Sequence, residues 1–306
     1  MSRIFDALQR SGVERSGVEY PDLISVVTEV FEANRDGAPK PPEPAVQASV
    51  EDVAEPELPM PEVVQKPLSQ ELSEFPSLNV AVKPLSRLVF FTDPDSLASE
   101  KFRFLSVRLR QIQQSRSIKK VLVTSTIPEE GKTLISANLA GALARRKQKV
   151  LLIEGDLRRP SLAKEFGLGR LSGLGEWLRG DHRKLTNVYR LEGPGLWLMP
   201  AGDPPANALE LMQSASLSQL MAQLSNLFDW IIVDSPPLLP LADTTVWARL
   251  TDGALLVARE GTTRKAMLER GLQVVKKSDL LGVILNGCAP SRDNSYYQSY
   301  YSPGNK

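Results

Sequence analysis

The chain has 306 residues, enough for one substantial α/β domain with additional segments. Its 37 basic and 36 acidic side chains leave a net charge of +1, so the overall charge gives no sign of a nucleic-acid binder. Cys288 and His182 are the only residues of their types, so no internal disulfide forms and no cluster has zinc-ligand spacing. Both are interpreted as structural, and the single cysteine is typical of a reducing cytoplasm.

No apolar run approaches the roughly 20 residues that span a bilayer, and the opening MSRIFDALQR lacks the apolar core of a secretory signal. We therefore expect a cytoplasmic protein that reaches the inner face of the plasma membrane through a partner. Residues 1–88 carry 8 basic and 15 acidic side chains, net −7, whereas residues 89–306 carry 29 and 21, net +8. That mild positive balance suits a domain that handles phosphate.

Four zones follow one another along the chain. Residues 1–35 contain two short helical patterns, interpreted as a partner-docking segment or, equally, as a cap on the main domain. Residues 36–87 are predicted to be a disordered linker, because 10 of the 23 prolines lie in 39–84. Residues 88–290 are predicted to form the main domain, and residues 291–306 a flexible tyrosine-rich tail.

Buried β-runs alternate with helical stretches in the main domain. The runs are consecutive apolar residues at 119–124, 149–153, 196–199, 230–233, 254–258 and 282–285. Helical patterns lie near residues 96–114, 133–147, 207–227 and 262–277. Runs that are apolar on both faces, with helices between them, predict an α/β fold with a doubly wound, mostly parallel sheet. Ligands of such sheets bind beyond the carboxyl ends of the strands.

The strongest local motif is TSTIPEEGKT, between the first β-run and the following helix. It fits a P-loop around Gly131, Lys132 and Thr133, although Thr126 replaces the glycine that usually opens the pattern. Backbone N–H groups at a helix N-terminus bind anions; Lys132 would reach the β- and γ-phosphates of ATP, and the Thr133 hydroxyl would bind Mg²⁺. The predicted ATP-binding residues of this motif are Pro128, Glu129, Glu130, Gly131, Lys132, Thr133 and Leu134.

Acidic residues end two further β-runs. Glu154 and Asp156 follow the second run, and Asp234 follows the fourth. Magnesium bound to ATP takes oxygen ligands, commonly one or two protein carboxylates besides phosphate and water. The predicted metal ligands are therefore Thr133, Asp156 and Asp234.

These three elements resemble the Walker A, Walker A′ and Walker B motifs of the bacterial protein-tyrosine kinases, a P-loop NTPase family that regulates capsule and exopolysaccharide export. The resemblance extends over roughly residues 90–301 and implies ATP-dependent autophosphorylation on tyrosine. It implies catalytic roles for Lys132, Glu154, Asp156 and Asp234, with an acidic group of the A′ pair orienting or deprotonating the tyrosine hydroxyl. The family usually has Asp where this chain has Glu154.

The tail supplies candidate acceptors. Four of the six tyrosines lie within 295–301, and they are Tyr296, Tyr297, Tyr300 and Tyr301. We predict that they are phosphorylated in trans; an aromatic interaction segment is the alternative. Because each phosphate adds about −1.5 to −2 charges, phosphorylation would loosen an oligomer.

The resemblance also implies partners. Glu100 and Arg103 match the family's oligomerisation helix, with Ser106 in place of its second arginine, and the alternative is a plain surface helix. We expect a homo-oligomeric ring, a membrane adaptor of the polysaccharide chain-length-determinant type, and a cognate tyrosine phosphatase. Asn286, after the last run, is a candidate adenine contact or an ordinary turn residue.

Two other functions remain open from the sequence. A partition- or division-site ATPase shares the fold, but such proteins carry an additional lysine early in the P-loop, which residues 126–130 lack. A non-catalytic ATP-binding scaffold of the export complex is the second alternative.

Overall fold

The computed structural model describes residues 72, 74–84, 86–145, 147–180, 185–192, 195–239, 242–275 and 279–288. The predicted helical segment 1–35, most of the predicted linker and the tyrosine tail lie outside this range. The strands are β1 (Ser77–Leu78), β2 (Lys120–Ser125), β3 (Val150–Glu154), β4 (Tyr189–Leu191), β5 (Leu196–Met199), β6 (Trp230–Asp234), β7 (Gly253–Arg259) and β8 (Leu280–Asn286). The helices are α1 (Val89–Thr92), α2 (Leu97–Ser115), α3 (Lys132–Ala144), α4 (Leu162–Glu165), α5 (Leu174–Arg179), α6 (Ala208–Met212), α7 (Ala215–Leu227), α8 (Asp243–Leu250) and α9 (Lys265–Val274).

The eight strands form one sheet in the order β1-β4-β5-β3-β6-β2-β7-β8. Every neighbouring pair is parallel except β4 with β5, which confirms the predicted mostly parallel α/β sheet. All six predicted strands are present. In the register of β3 and β6, Glu154 lies opposite Asp234, so the acidic strand ends are neighbours at the carboxyl edge.

Successive residues of each central strand enter different cores, which explains the unbroken apolar runs. On β2, Leu122 joins a cluster with α7 and α8, whereas Val121 and Val123 join a cluster with α2 and α3. Both faces of the sheet are therefore covered by helices. Fully burying a side chain of this size contributes about 1.5–3 kcal/mol, so the central strands are a rigid base for their carboxyl-end loops.

Helix α3 is packed between the sheet and the segment before α2. The Phe90 N–H donates to Asn138 Oδ1 at 2.9 Å, and a Cβ on Gly141 would lie 2.8 Å from the Phe91 ring. Because α3 is enclosed on these sides, most of its residues are buried. The P-loop therefore leads into a helix that is fixed along its length.

The predicted linker boundary at residue 87 is too late. Ser77 and Leu78 form β1 and pair in parallel with β4, and Leu72 is buried in the core on one face of the sheet. Proline content indicated an extended chain, but apolar residues between the prolines attach that chain to the sheet edge. Among the described residues, no helix is both long and apolar enough to cross a bilayer.

Candidate functional site

The P-loop occupies residues 126–131, between the end of β2 and the start of α3. Gly131 has a φ of +95°, and a Cβ there would lie 2.1 Å from Asn286 Nδ2. Only glycine adopts this backbone conformation at no steric cost, and only glycine leaves room for the asparagine. The motif's Gly131 is thus required by the loop itself.

Glu130 braces the loop from inside. Its buried carboxylate accepts the Thr126 N–H at 2.7 Å and the Ile127 N–H at 3.0 Å, and it also accepts the hydroxyls of Thr126 and Thr263. The sequence predicted an ATP contact at Glu130. Its side chain faces the loop interior, so a phosphate contact at Glu130 would have to come from its main chain.

The ends of β7 and β8 support the same loop from its other side. Asn286 Nδ2 donates to the Glu130 carbonyl at 2.9 Å, and Arg259 Nη1 donates to the Glu129 carbonyl at 3.1 Å. The amide of Asn286, a predicted adenine contact, is therefore engaged with the P-loop. Arg259 and Thr263 belong to no recognisable sequence motif, and their contacts with the P-loop were not predicted from the sequence.

Lys132 and Asp156 meet in front of the loop. Lys132 Nζ lies 3.6 Å from Asp156 Oδ2, with side-chain exposures of 15% and 7%. Asp156 Oδ1 accepts the Arg159 N–H at 3.0 Å, which fixes the carboxylate within its own loop. The structure thus brings together the P-loop lysine and the second A′ carboxylate.

Asp234 lies beneath them, fully buried. Ser136 Oγ donates to its Oδ1 at 3.2 Å, and the Thr133 hydroxyl also donates to this carboxylate. Burial raises the pKa of Asp234 to about 7, although Lys132 and Thr133 oppose the rise. A buried carboxylate beside a hydroxyl suits a hard divalent cation, which would relieve the cost of its charge.

The donor set fits magnesium held jointly with a nucleotide. In the part of the chain that is described, no three side chains of His, Cys, Asp or Glu cluster tightly enough to hold a metal by themselves. Thr133, Asp156 and Asp234 supply hard oxygens, and phosphate and water supply the remainder for Mg²⁺ in nucleotide sites. The residues present therefore fit a metal that arrives with phosphate.

Glu154 is placed differently from Asp156. Its Oε1 accepts the N–H groups of Ser161 and Leu162, the latter at 2.6 Å, and its Oε2 accepts the Ala201 N–H at 3.1 Å. Burial raises the pKa of Glu154, while these backbone donors oppose the rise. The longer side chain thus connects the end of β3 to the start of α4 and to Ala201, which follows β5.

A cavity of about 310 Å³ opens beside Glu154. Ser161 links it to the start of α3, because Ser161 Oγ lies 3.5 Å from Thr133 Oγ1. The other lining residues are Pro160, Ala163, Lys164, Leu168, Gly169, Arg170, Leu171, Pro200 and Gly202. The wall is largely apolar with basic side chains, and the cavity adjoins Thr133, a predicted magnesium ligand.

The predicted oligomer contacts are paired within the chain. On α2, Arg103 bonds to Glu100, and its guanidinium lies 5.8 Å from the Phe90 ring centre. The neighbouring Phe104 and Val107 remain 40% and 37% exposed. The tyrosine tail lies outside the described residues, so the roles of Tyr296, Tyr297, Tyr300 and Tyr301 remain sequence predictions.

The chain is similar to a family of nucleotide-binding domains and to individual tyrosine-protein kinases. The CobQ/CobB/MinD/ParA nucleotide-binding domain family matches residues 121–302, so the chain contains a nucleotide-binding domain of that type. Tyrosine-protein kinase YwqD of Bacillus subtilis is 33% identical over 216 residues, covering 70% of this chain and 90% of YwqD. The CapB relative from Staphylococcus aureus is 30% identical over 218 residues, covering 71% of this chain and 96% of CapB.

The kinase domain of the Escherichia coli tyrosine kinase Etk superimposes with a TM-score of 0.62 at 27% identity, covering 67% of this chain and 82% of that structure. The chain belongs to the bacterial tyrosine-protein kinases, and it is a protein-tyrosine kinase. Membership of this family confirms the resemblance inferred from the three motifs.

Proposed function

We propose that this kinase transfers the γ-phosphate of ATP, with Mg²⁺, to the tyrosines of its own C-terminal cluster on a second copy of the chain. The modification would regulate polymerisation and export of a capsular or exocellular polysaccharide. One observation carries the proposal: Lys132 lies 3.6 Å from Asp156 and in front of the buried Asp234, at the N-terminus of α3.

Each residue has a role that its position supports. The main chain of residues 128–134 receives the phosphates at the helix N-terminus, and Lys132 balances the charge on their oxygens. Thr133, Asp156 and Asp234 hold the metal, which supplies charge neutralisation when it is bound. Phosphoryl transfer depends chiefly on such positioning and charge balance.

Asp156 is the carboxylate that we assign to the tyrosine hydroxyl. Both oxygens of Glu154 accept backbone N–H groups, so its proposed contribution is to fix the A′ loop. The neighbouring cavity offers the apolar walls of Pro160, Leu168 and Leu171 to an aromatic ring. We propose that the acceptor tyrosine enters there and presents its hydroxyl toward Asp156.

A mixing experiment tests transfer between copies. One chain carries Lys132→Met with an intact tail, and the other is active but has Tyr296, Tyr297, Tyr300 and Tyr301 changed to Phe. With labelled ATP and Mg²⁺, neither chain alone should label its tail, whereas the mixture should label the Lys132→Met chain. Lys120→Met replaces a lysine at the opposite end of β2 and is the matched control; it should label itself normally.

Two results would contradict the proposal. ATP turnover without phosphotyrosine in any mixture would favour a positioning ATPase. Label that appears on an intact active chain but never on the Lys132→Met partner would place the transfer within one copy.

The assembly is part of the same proposal. Relatives bear the names CapB and EpsB, which supports a role in polysaccharide production. We propose a cytoplasmic ring that docks on a membrane adaptor of the chain-length-determinant type, is reset by a tyrosine phosphatase and binds no nucleic acid. Deleting residues 1–35 and measuring capture by the adaptor's cytoplasmic segment tests the docking role, and unchanged capture would refute it.

A further inference from the structure

Helix α8 follows the Asp234 loop and contacts the loop that carries Asp156. Asp243, its first residue, receives two bonds from Arg158, at 2.7 Å from Nε and 3.2 Å from Nη2. Trp247 lies one turn later, and its Nε1 donates to the Gly155 carbonyl at 3.1 Å. Residues four apart share one helix face, so a single face of α8 holds the loop on both sides of Asp156.

The contact with Gly155 is close as well as polar. A Cβ on Gly155 would lie 2.7 Å from the Trp247 ring, so the backbone rests directly on the indole. The Gly155 N–H donates to the Asp234 carbonyl at 2.7 Å. The peptide groups of Gly155 are therefore held by β6 on one side and by α8 on the other, immediately before Asp156.

Helix α8 is itself anchored to the segment after Asp234. Thr244 Oγ1 donates to the Pro236 carbonyl at 2.9 Å, and Thr124 Oγ1 of β2 donates to the same carbonyl at 2.9 Å. Asp243 and Trp247 are 1% and 0% exposed, so the α8 side of both contacts is buried, while the Arg158 side chain is 42% exposed. One helix thus joins the two loops whose carboxylates face the P-loop.

We propose that Asp243 and Trp247 are positioning residues that hold Asp156 opposite Lys132, acting through Arg158 and the Gly155 carbonyl. The inference rests on the role proposed above for Asp156. Groups that orient a functional carboxylate from behind commonly change activity by about 10–100-fold. Positioning predicts that their loss lowers kcat while nucleotide affinity measured without Mg²⁺, which depends on the P-loop, is largely kept.

Two substitutions test the contacts separately in the full chain. Asp243→Asn should lower the kcat for tyrosine phosphorylation by about 10–100-fold, with a nucleotide Kd, measured without Mg²⁺, within about threefold of the wild type. Trp247→Phe keeps a ring in place but removes the N–H, and should lower kcat in the same sense. Trp230→Phe is its matched control: Trp230 is equally buried, and its Nε1 has no hydrogen-bond partner among the described residues.

A double variant separates positioning from stability. Arg158→Gln leaves the buried Asp243 carboxylate unpaired and should lower the unfolding midpoint, because an uncompensated buried charge is costly. Adding Asp243→Asn removes that charge, so the midpoint should recover while kcat stays within about threefold of the Asp243→Asn value. If kcat recovered together with the midpoint, the pair would be structural only, and the inference would be overturned.

Failure of the proposed role of Asp156 and failure of the positioning role of α8 give different results. Asp156→Asn with an undiminished kcat would remove the role on which the inference rests. Asp156→Asn with a greatly reduced kcat, beside Asp243→Asn and Trp247→Phe at wild-type kcat, would refute the positioning role of α8 and leave the proposed function in place.

Discussion

Asp234→Asn should stabilise the nucleotide-free protein, increasingly so at higher pH. Burial raises the pKa of this carboxyl from 3.8 to about 7 in the folded chain. A difference of about 3 pKa units corresponds to about 4 kcal/mol, at 1.36 kcal/mol per unit. The native state then binds more protons than the unfolded state, so the stability contributed by this group is full below about pH 4 and is lost as the pH rises through 7.

The assay is urea unfolding of both proteins without nucleotide at about pH 5 and about pH 8. From pH 5 to pH 8 the free energy of unfolding of the wild type should fall by about 2.5 kcal/mol relative to that of Asp234→Asn. The remainder of the total loss occurs below pH 5. Saturating Mg²⁺ and nucleotide should remove this difference in pH dependence between the two proteins, since a bound cation favours the ionised carboxylate. A difference in free energy of unfolding between the two proteins that is the same at both pH values would refute this reasoning.

Three further substitutions test the bracing of the site. Gly131→Ala forces a side chain into a left-handed conformation and against Asn286, so nucleotide binding, followed by fluorescence titration, should weaken at least about tenfold; wild-type affinity would contradict the loop geometry. Glu154→Ala leaves three backbone N–H groups without their acceptor and should reduce the free energy of unfolding by about 3 kcal/mol or more, whereas Glu154→Gln should cost less; equal losses would argue against carboxylate bracing. Thr263→Val preserves shape but removes the hydroxyl that reaches Glu130, and should cost about 1–2 kcal/mol in urea unfolding, with no change expected if that bond is unimportant.

The fold and the phosphate side of the site were predictable because both depend on local sequence. Buried runs with helices between them specify a parallel sheet, and parallel strands place their carboxyl ends together. Lys132, Asp156 and Asp234 each follow or end such a run, which is why their proximity could be expected.

The bracing of the site could not be predicted, because it depends on which strands are neighbours. Asn286 and Arg259 reach the P-loop only because β7 pairs with β2 and β8 pairs with β7. Nothing in the sequence around Glu130 indicates that its carboxylate turns inward to Thr126 and Thr263. The donors of Glu154 likewise come from α4 and from the residue pair after β5.

Short elements were missed for a related reason. β1 and β4 have two and three residues, too few for a periodic pattern, and they exist because they pair with each other at the sheet edge. Helix α8, with its polar first half, also gave no apolar pattern of its own. Its contacts with Arg158 and Gly155 appear only once β3 and β6 are neighbours.

In the proposed function, the Lys132 site phosphorylates the tail tyrosines. The most direct measurement is the intact mass of the purified chain after incubation with ATP and Mg²⁺, followed by peptide mapping. The wild type should gain one or more phosphates within residues 296–301, and both Lys132→Met and the variant with all four tail tyrosines changed to Phe should gain none there. Phosphate on the Lys132→Met chain alone, or full phosphate incorporation in the variant without tail tyrosines, would contradict the account.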